Sequence, residues 1–101
     1  MEGIKIIRWD GEKPTIKMIK SSLDDEGLDY YLFVTYPEDK FEEHKHDNHE
    51  IRIVAEGKME FEISGKKFVL EAGDRIEMKP GIKHSAKSLY SGRTVCFAAK
   101  K

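Results

Sequence analysis

From Asp29 to the C-terminus, apolar side chains recur at every second position in short runs, and Gly, Pro or Ser-Gly pairs interrupt them at fairly even intervals. A period of two marks a strand with one face buried. The pattern predicts strands near Tyr30–Tyr36, Phe41–His46, Glu50–Glu56, Lys58–Ser64, Lys67–Glu71, Arg75–Lys79, His84–Leu89 and Arg93–Ala99. Gly57, Ser64-Gly65, Gly73-Asp74, Pro80-Gly81 and Ser91-Gly92 supply the turns between them. In the clearest run Met59, Phe61 and Ile63 face inward while Lys58, Glu60, Glu62 and Ser64 face water. Before Asp29 the period is different. Ile16, Ile19 and Leu23 step by three and four, Pro14 suits a helix start and Gly27 its stop, so residues 14–27 read as one amphipathic helix. Ile4 to Trp9, closed by Asp10-Gly11, reads as a strand or extended arm.

Eight short strands must close on themselves or stack as two sheets, because open edges invite aggregation. An all-β fold follows, a small β-barrel or jelly roll over residues 29–101, preceded by an N-terminal arm of strand and helix over residues 1–28, with one structural domain in total. Composition agrees with this. A chain of 101 residues with 39% hydrophobic side chains suffices for one core and is short for two. Eighteen basic against nineteen acidic residues leave a net charge of -1, which supplies no general field for nucleic acid or an anionic membrane surface. The single Cys96 excludes an internal disulfide, and the N-terminal stretch has no long apolar run, so a cytoplasmic protein is expected. Absence of Gln, a lone Asn48, twelve Glu and fourteen Lys suggest a hot source. A melting temperature in the ordinary mesophile range would count against that suggestion.

The chemistry concentrates in one segment. His44, His46 and His49 fall within six residues, with Glu50 next. On a strand His44 and His46 share a face, Glu50 joins them if the backbone stays extended, and His49 is out of phase and points away. Imidazole with carboxylate suits divalent iron, manganese, nickel, cobalt or zinc better than calcium or magnesium. His84, just after the Pro80-Gly81 turn, is the candidate fourth ligand. The competing reading is a set of surface histidines solvated among Glu42, Glu43, Lys45 and Asp47.

The run His44-Lys45-His46-Asp47-Asn48-His49-Glu50, followed after six residues by Gly57, resembles the first conserved motif of the cupin superfamily, whose two histidines and glutamate bind metal. Gly73-Asp74 and then Pro80-Gly81-Ile82-Lys83-His84 resemble the second motif, whose histidine is the remaining ligand. Lys79 stands where that motif usually has proline, and Ser88 where asparagine is frequent. The resemblance implies a small single-domain cupin, a double-stranded β-helix with a metal site on His44, His46, Glu50 and His84. The stretch Trp9-Asp10-Gly11 to Pro14-Thr15 is similar to the arm of small bacterial cupins, and Glu50-Ile51-Arg52 with Glu56-Gly57 is similar to acireductone dioxygenases.

The same phase argument places residues 44, 46, 50, 52 and 54 on the interior face, and so puts Arg52 beside the ligands. Its guanidinium either neutralises Glu50 or clamps a ligand carboxylate or enolate, or it pairs structurally with Glu60 or Glu62. Ile51, Ile53 and Ala55 face the other way and need a cover, either the helix over residues 14–27 or a second subunit, and a homodimer is expected. Cys96, within Val95-Cys96-Phe97, reads as a buried inert thiol, and Trp9 as a packing residue. Four protein ligands on an octahedral ion leave about two positions open. Two functions follow: an enzyme of dioxygenase, isomerase or lyase type acting on a small chelating oxygenated molecule, or a binding module without turnover. An ion that merely staples the barrel is the third reading.

Overall fold

The structure is a computed structural model that describes residues 2–101. The chain runs β1 (Ile4–Ile7), α1 (Ile16–Asp25), β2 (Asp29–Thr35), β3 (Lys40–His44), β4 (Glu50–Glu56), β5 (Lys58–Ile63), β6 (Lys66–Glu71), β7 (Arg75–Met78), β8 (His84–Ser88) and β9 (Thr94–Lys100). Every predicted strand is present, with ends that differ by one or two residues. The strands form a five-stranded sheet ordered β1-β7-β4-β9-β2 and a four-stranded sheet ordered β3-β8-β5-β6. Every pairing is antiparallel. The two sheets do not join into a continuous hydrogen-bonded barrel, and the arrangement is the jelly roll among the alternatives the pattern left open.

Two cores result. Between the sheets lie Val54, Met59, Phe61, Ile63, Leu70, Ile76, Met78 and Cys96. On the outer face of the five-stranded sheet, Ile51, Ile53, Ala55, Val95, Phe97 and Ala99 are sealed by Ile19 and Leu23 of α1. Of the two covers expected for the Ile51, Ile53 and Ala55 stripe, the helix is the one in place, so a second subunit would have to use another surface. Because the sheet is covered on both faces, β4 and β9 are buried almost without alternation.

The helix begins two residues later than Pro14. Thr15 is the cap, its hydroxyl accepting from the Met18 amide at 3.1 Å, and Pro14 precedes the cap where its missing N–H costs nothing. It ends at Asp25, two residues short of Gly27, whose φ of 71° is open to glycine and strained for other residues. The Gly27 amide donates to Asp24 O and the Leu28 amide to Leu23 O, at 2.9 and 3.2 Å, satisfying the last carbonyls. Arg75 anchors the helix to the sheet by a two-pronged contact with Glu26, 2.6 and 2.9 Å, and reaches Glu77 at 2.9 Å.

The N-terminal arm is a working part of the larger sheet, since β1 pairs with β7 along its whole length. Trp9 lies against Gly73, where a Cβ would come within 2.4 Å of the indole, and its ring nitrogen donates to Glu12 O at 2.6 Å. Asp74 fixes this corner by accepting from the Trp9 amide (2.9 Å), the Glu71 amide (2.9 Å) and Arg8 (3.0 Å).

Candidate metal centre

Strand pairing brings the histidines together. In the antiparallel ladder of β3 and β8, His44 stands opposite His84, after a bulge that begins at Phe41. His46 lies just past the end of β3. Its carbonyl accepts from the Gly81 amide at 2.9 Å, so the loop carrying His46 is tied to the turn that precedes His84. One donor atom from each of His44, His46 and His84 lies within 4.8 Å of the others. The ring centroids are 4.3 Å apart for His44 and His84, 4.8 Å for His44 and His46, and 5.4 Å for His46 and His84.

The protonation pattern follows from what the other ring nitrogens touch. His44 Nδ1 is 2.6 Å from Glu42 O, and His84 Nδ1 is 3.1 Å from Ile82 O. A carbonyl only accepts, so each Nδ1 carries a hydrogen, which in the neutral ring leaves the lone pair on Nε2. His46 Nδ1 lies 3.2 Å from Glu50 Oε1. Burial depresses the pKa of His84, against an opposing hydrogen bond to Ile82. It also depresses that of His46, against the opposing charge of Glu50. Neutral imidazole is the form that ligates metal.

Glu50 is turned inward, 2% exposed as a residue, with its carboxylate beside His46 and outside the group of three rings. Two polar atoms here, His46 Nε2 and Glu50 Oε2, are buried without any hydrogen-bond partner. Such atoms are uncommon and costly in folded proteins. A cation is the kind of partner that both atoms lack, so the residues present fit a divalent ion.

His49 turns away as predicted, its Nε2 lying 3.1 Å from Glu77 Oε1. Arg52 faces inward, with its Nη2 3.5 Å from Glu50 Oε1 and Nη1 donating to Ile51 O at 2.9 Å. The alternative partners Glu60 and Glu62 are not reached. They lie on the outer face of β5, opposite the buried Met59, Phe61 and Ile63, and Glu60 pairs with Lys87 at 3.5 Å. Ser88 holds Thr94 Oγ1 at 3.3 Å and does not line the site.

A cavity of about 380 Å³ opens onto the three histidines and Arg52, and its remaining wall is mostly apolar, from Phe33, Val34, Phe41, Met59 and Phe61 among others. No single segment could announce this wall. It assembles from β2, β3 and β5, which are distant in sequence.

The cupin domain family profile matches residues 31–99. The chain is a cupin. A double-stranded β-helix protein from Klebsiella pneumoniae is similar at 22% identity, with 70% of this chain and 64% of that one covered and a TM-score of 0.64. The cupin thus spans slightly less than two thirds of that relative. A DUF861-family protein of Thermotoga maritima matches at 26% identity over 92% of this chain and 96% of that one, TM-score 0.59. Oxalate decarboxylase of Bacillus subtilis, with its Mn(II) centres, is similar at 21% identity over 73% of this cupin and 21% of its own length, TM-score 0.66. No curated protein matches the sequence. No helix among the described residues is long and apolar enough to cross a membrane.

Proposed function

We propose that this cupin holds one divalent transition ion on His44, His46 and His84, with Glu50 as the fourth donor, and that the ion meets a small oxygen-bearing molecule in the adjoining cavity. One observation carries the reading: three imidazoles converge, each offering a ligand nitrogen within 4.8 Å of the others, next to a buried carboxylate oxygen that has no partner. Iron, manganese, nickel and zinc all suit this donor set. When bound, such an ion supplies Lewis-acid polarisation of a ligand oxygen or, for a redox-active metal, electron transfer. The protein's own part is to hold the imidazoles in the ligating tautomer, to wall off water with the phenylalanines and to orient what enters.

A second reading, capture without turnover, draws support from the cavity lining. Beyond the three histidines it contains no imidazole, and among the described residues no carboxylate lines it, so no side chain there is an evident general base. The purely structural ion is disfavoured by the cavity, which leaves the histidines reachable. A twofold dimer belongs to the same proposal. β2 is an edge strand, and Tyr31, Leu32 and Val34 on it are exposed, in a stretch without charge from Tyr30 to Thr35 that a second copy would cover by antiparallel pairing. Light scattering tests it.

Metal binding is tested by elemental analysis and thermal melting with manganese, iron, nickel or zinc. At 100-fold excess over Kd an ion stabilises the native state by about 2.7 kcal/mol, about 10 °C or more for a domain of this size. His46→Ala and His84→Ala should abolish the shift, and His49→Ala should keep it. Equal loss from His49→Ala, or no shift with any ion in the parent protein, would sink the reading. Oxygen uptake by the iron-loaded protein with chelating acids and diketones then separates enzyme from binding module.

A further inference from the structure

We infer that the cavity takes a small carboxylate carried on an apolar or aromatic body, and that Arg52 holds the carboxylate. The inference deepens the proposed function and rests on it for the ion, but the guanidinium's part is independent of metal.

Arg52 is the only Lys or Arg lining the cavity among the described residues, and its side chain is 12% exposed. A guanidinium carries five N–H donors. Here one goes to the carbonyl of the neighbouring Ile51, and one makes a contact of 3.5 Å with Glu50, at the outer limit of a hydrogen bond. Its other N–H groups make no hydrogen bond among the described residues, and the side chain borders the cavity, so an anion that enters can take them. A carboxylate matches the fork geometry and can take two parallel N–H bonds.

Carboxylates set the side from which the anion enters. Arg52 also borders a neighbouring cavity of about 320 Å³ whose wall includes Asp29 and Glu50 as well as Lys100. There an anion meets two acids beside the lysine, whereas among the described residues no carboxylate lines the histidine side. The rest of the ligand is read from Phe33, Phe41 and Phe61, flat apolar surfaces suited to a ring or a short branched chain. Neither a sugar nor a polyamine has this complement of one anionic end and one dry body.

Calorimetry with phenylpyruvate, its methyl ester and pyruvate tests the assignment, on zinc-loaded and on metal-free protein, with metal content measured in each sample. Phenylpyruvate should bind the parent protein, the ester should bind about 10- to 100-fold more weakly, as expected for loss of a hydrogen bond to a charged group, and pyruvate should be weaker through loss of the ring. Arg52→Gln should lose a similar factor for phenylpyruvate at unchanged metal content, with Arg52→Lys in between. The ester comparison needs no variant, so poor folding of Arg52→Gln leaves the test intact. Equal binding of acid and ester, equal binding by Arg52→Gln and the parent, or no binding of phenylpyruvate at all would overturn the inference. Preference for the acid that depends on Arg52 in metal-free protein would uphold it even if no ion were ever bound, which separates its fate from that of the metal site.

Discussion

Strand β4 has two faces, and they are built to opposite standards. Ile51, Ile53 and Ala55 point to the helix side, where they pack with Ile19, Leu23, Val95, Phe97 and Ala99 and where Glu26, Arg75 and Glu77 pair with one another at the rim. Glu50 and Arg52, interleaved with them, point to the cavity side, where a carboxylate oxygen and an imidazole nitrogen lack partners and a guanidinium has donors to spare. Val54 returns that face to ordinary core one step further along. The same backbone, in the same sheet, therefore carries a finished surface and an unfinished one. Natural proteins tolerate unsatisfied polar groups chiefly where a ligand completes them, so the contrast separates what holds the fold from what the fold is for.

The largest test of the contrast lies on the finished face. Leu23→Ala should lower unfolding free energy by about 2–5 kcal/mol, as for other fully buried leucines, while metal stoichiometry of the folded fraction stays at the parental value. A parallel fall in metal content would show that the two faces are coupled and break the comparison. A smaller effect is expected at the rim. The hydrogen bond from Arg75 lowers the pKa of Glu26. At Glu77 burial works upward, but hydrogen bonds from His49 and Lys101 and the charge of Arg75 prevail and lower it. A depressed carboxylate contributes stability that is present above its unfolded pKa, near 4.5, and fades as pH falls through the folded value. Melting temperature should therefore drop below about pH 4.5, and Glu26→Gln should start lower at neutral pH and fall less steeply in acid. An acid limb unchanged by Glu26→Gln would remove this ion pair from the account. Least change of all is expected at Cys96, whose thiol burial pushes up to about 12. It should resist aromatic disulfide reagents in the native protein and react fully in denaturant. Rapid native reaction would mean that the interior beneath the cavity is wetter than its packing implies.

Much of this was legible along the chain, for reasons that differ by residue. The inward and outward faces of β5 follow from strict alternation at Met59, Phe61 and Ile63, and the same alternation turns His49 to Glu77 and Arg52 to the cavity. The double match around His44-His46-Glu50 and Pro80-Gly81-His84 was enough to expect the cupin fold. The backbone leaves the extended form between His46 and Glu50, so an even count of residues does not by itself fix a common direction there, yet Glu50 is turned inward beside His46. The pairing of Arg52 with Glu60 or Glu62, open in the sequence, fails because those acids lie on the outer face of β5 while Arg52 turns inward. Asp74, which ties the arm to the second motif, and the phenylalanine wall depend on long-range closure, and no periodicity carries that information.

One peptide hydrogen bond, from the Gly81 amide to the His46 carbonyl, gives the chain a ruler. It fixes the origin from which His84 is measured, so only the short span Gly81-Ile82-Lys83 sets where that imidazole lands. Adding or removing one residue there would slide β8 by about 3.3 Å and turn its histidine to the opposite face. A surface loop without such a tie is free in its length, but this one is counted.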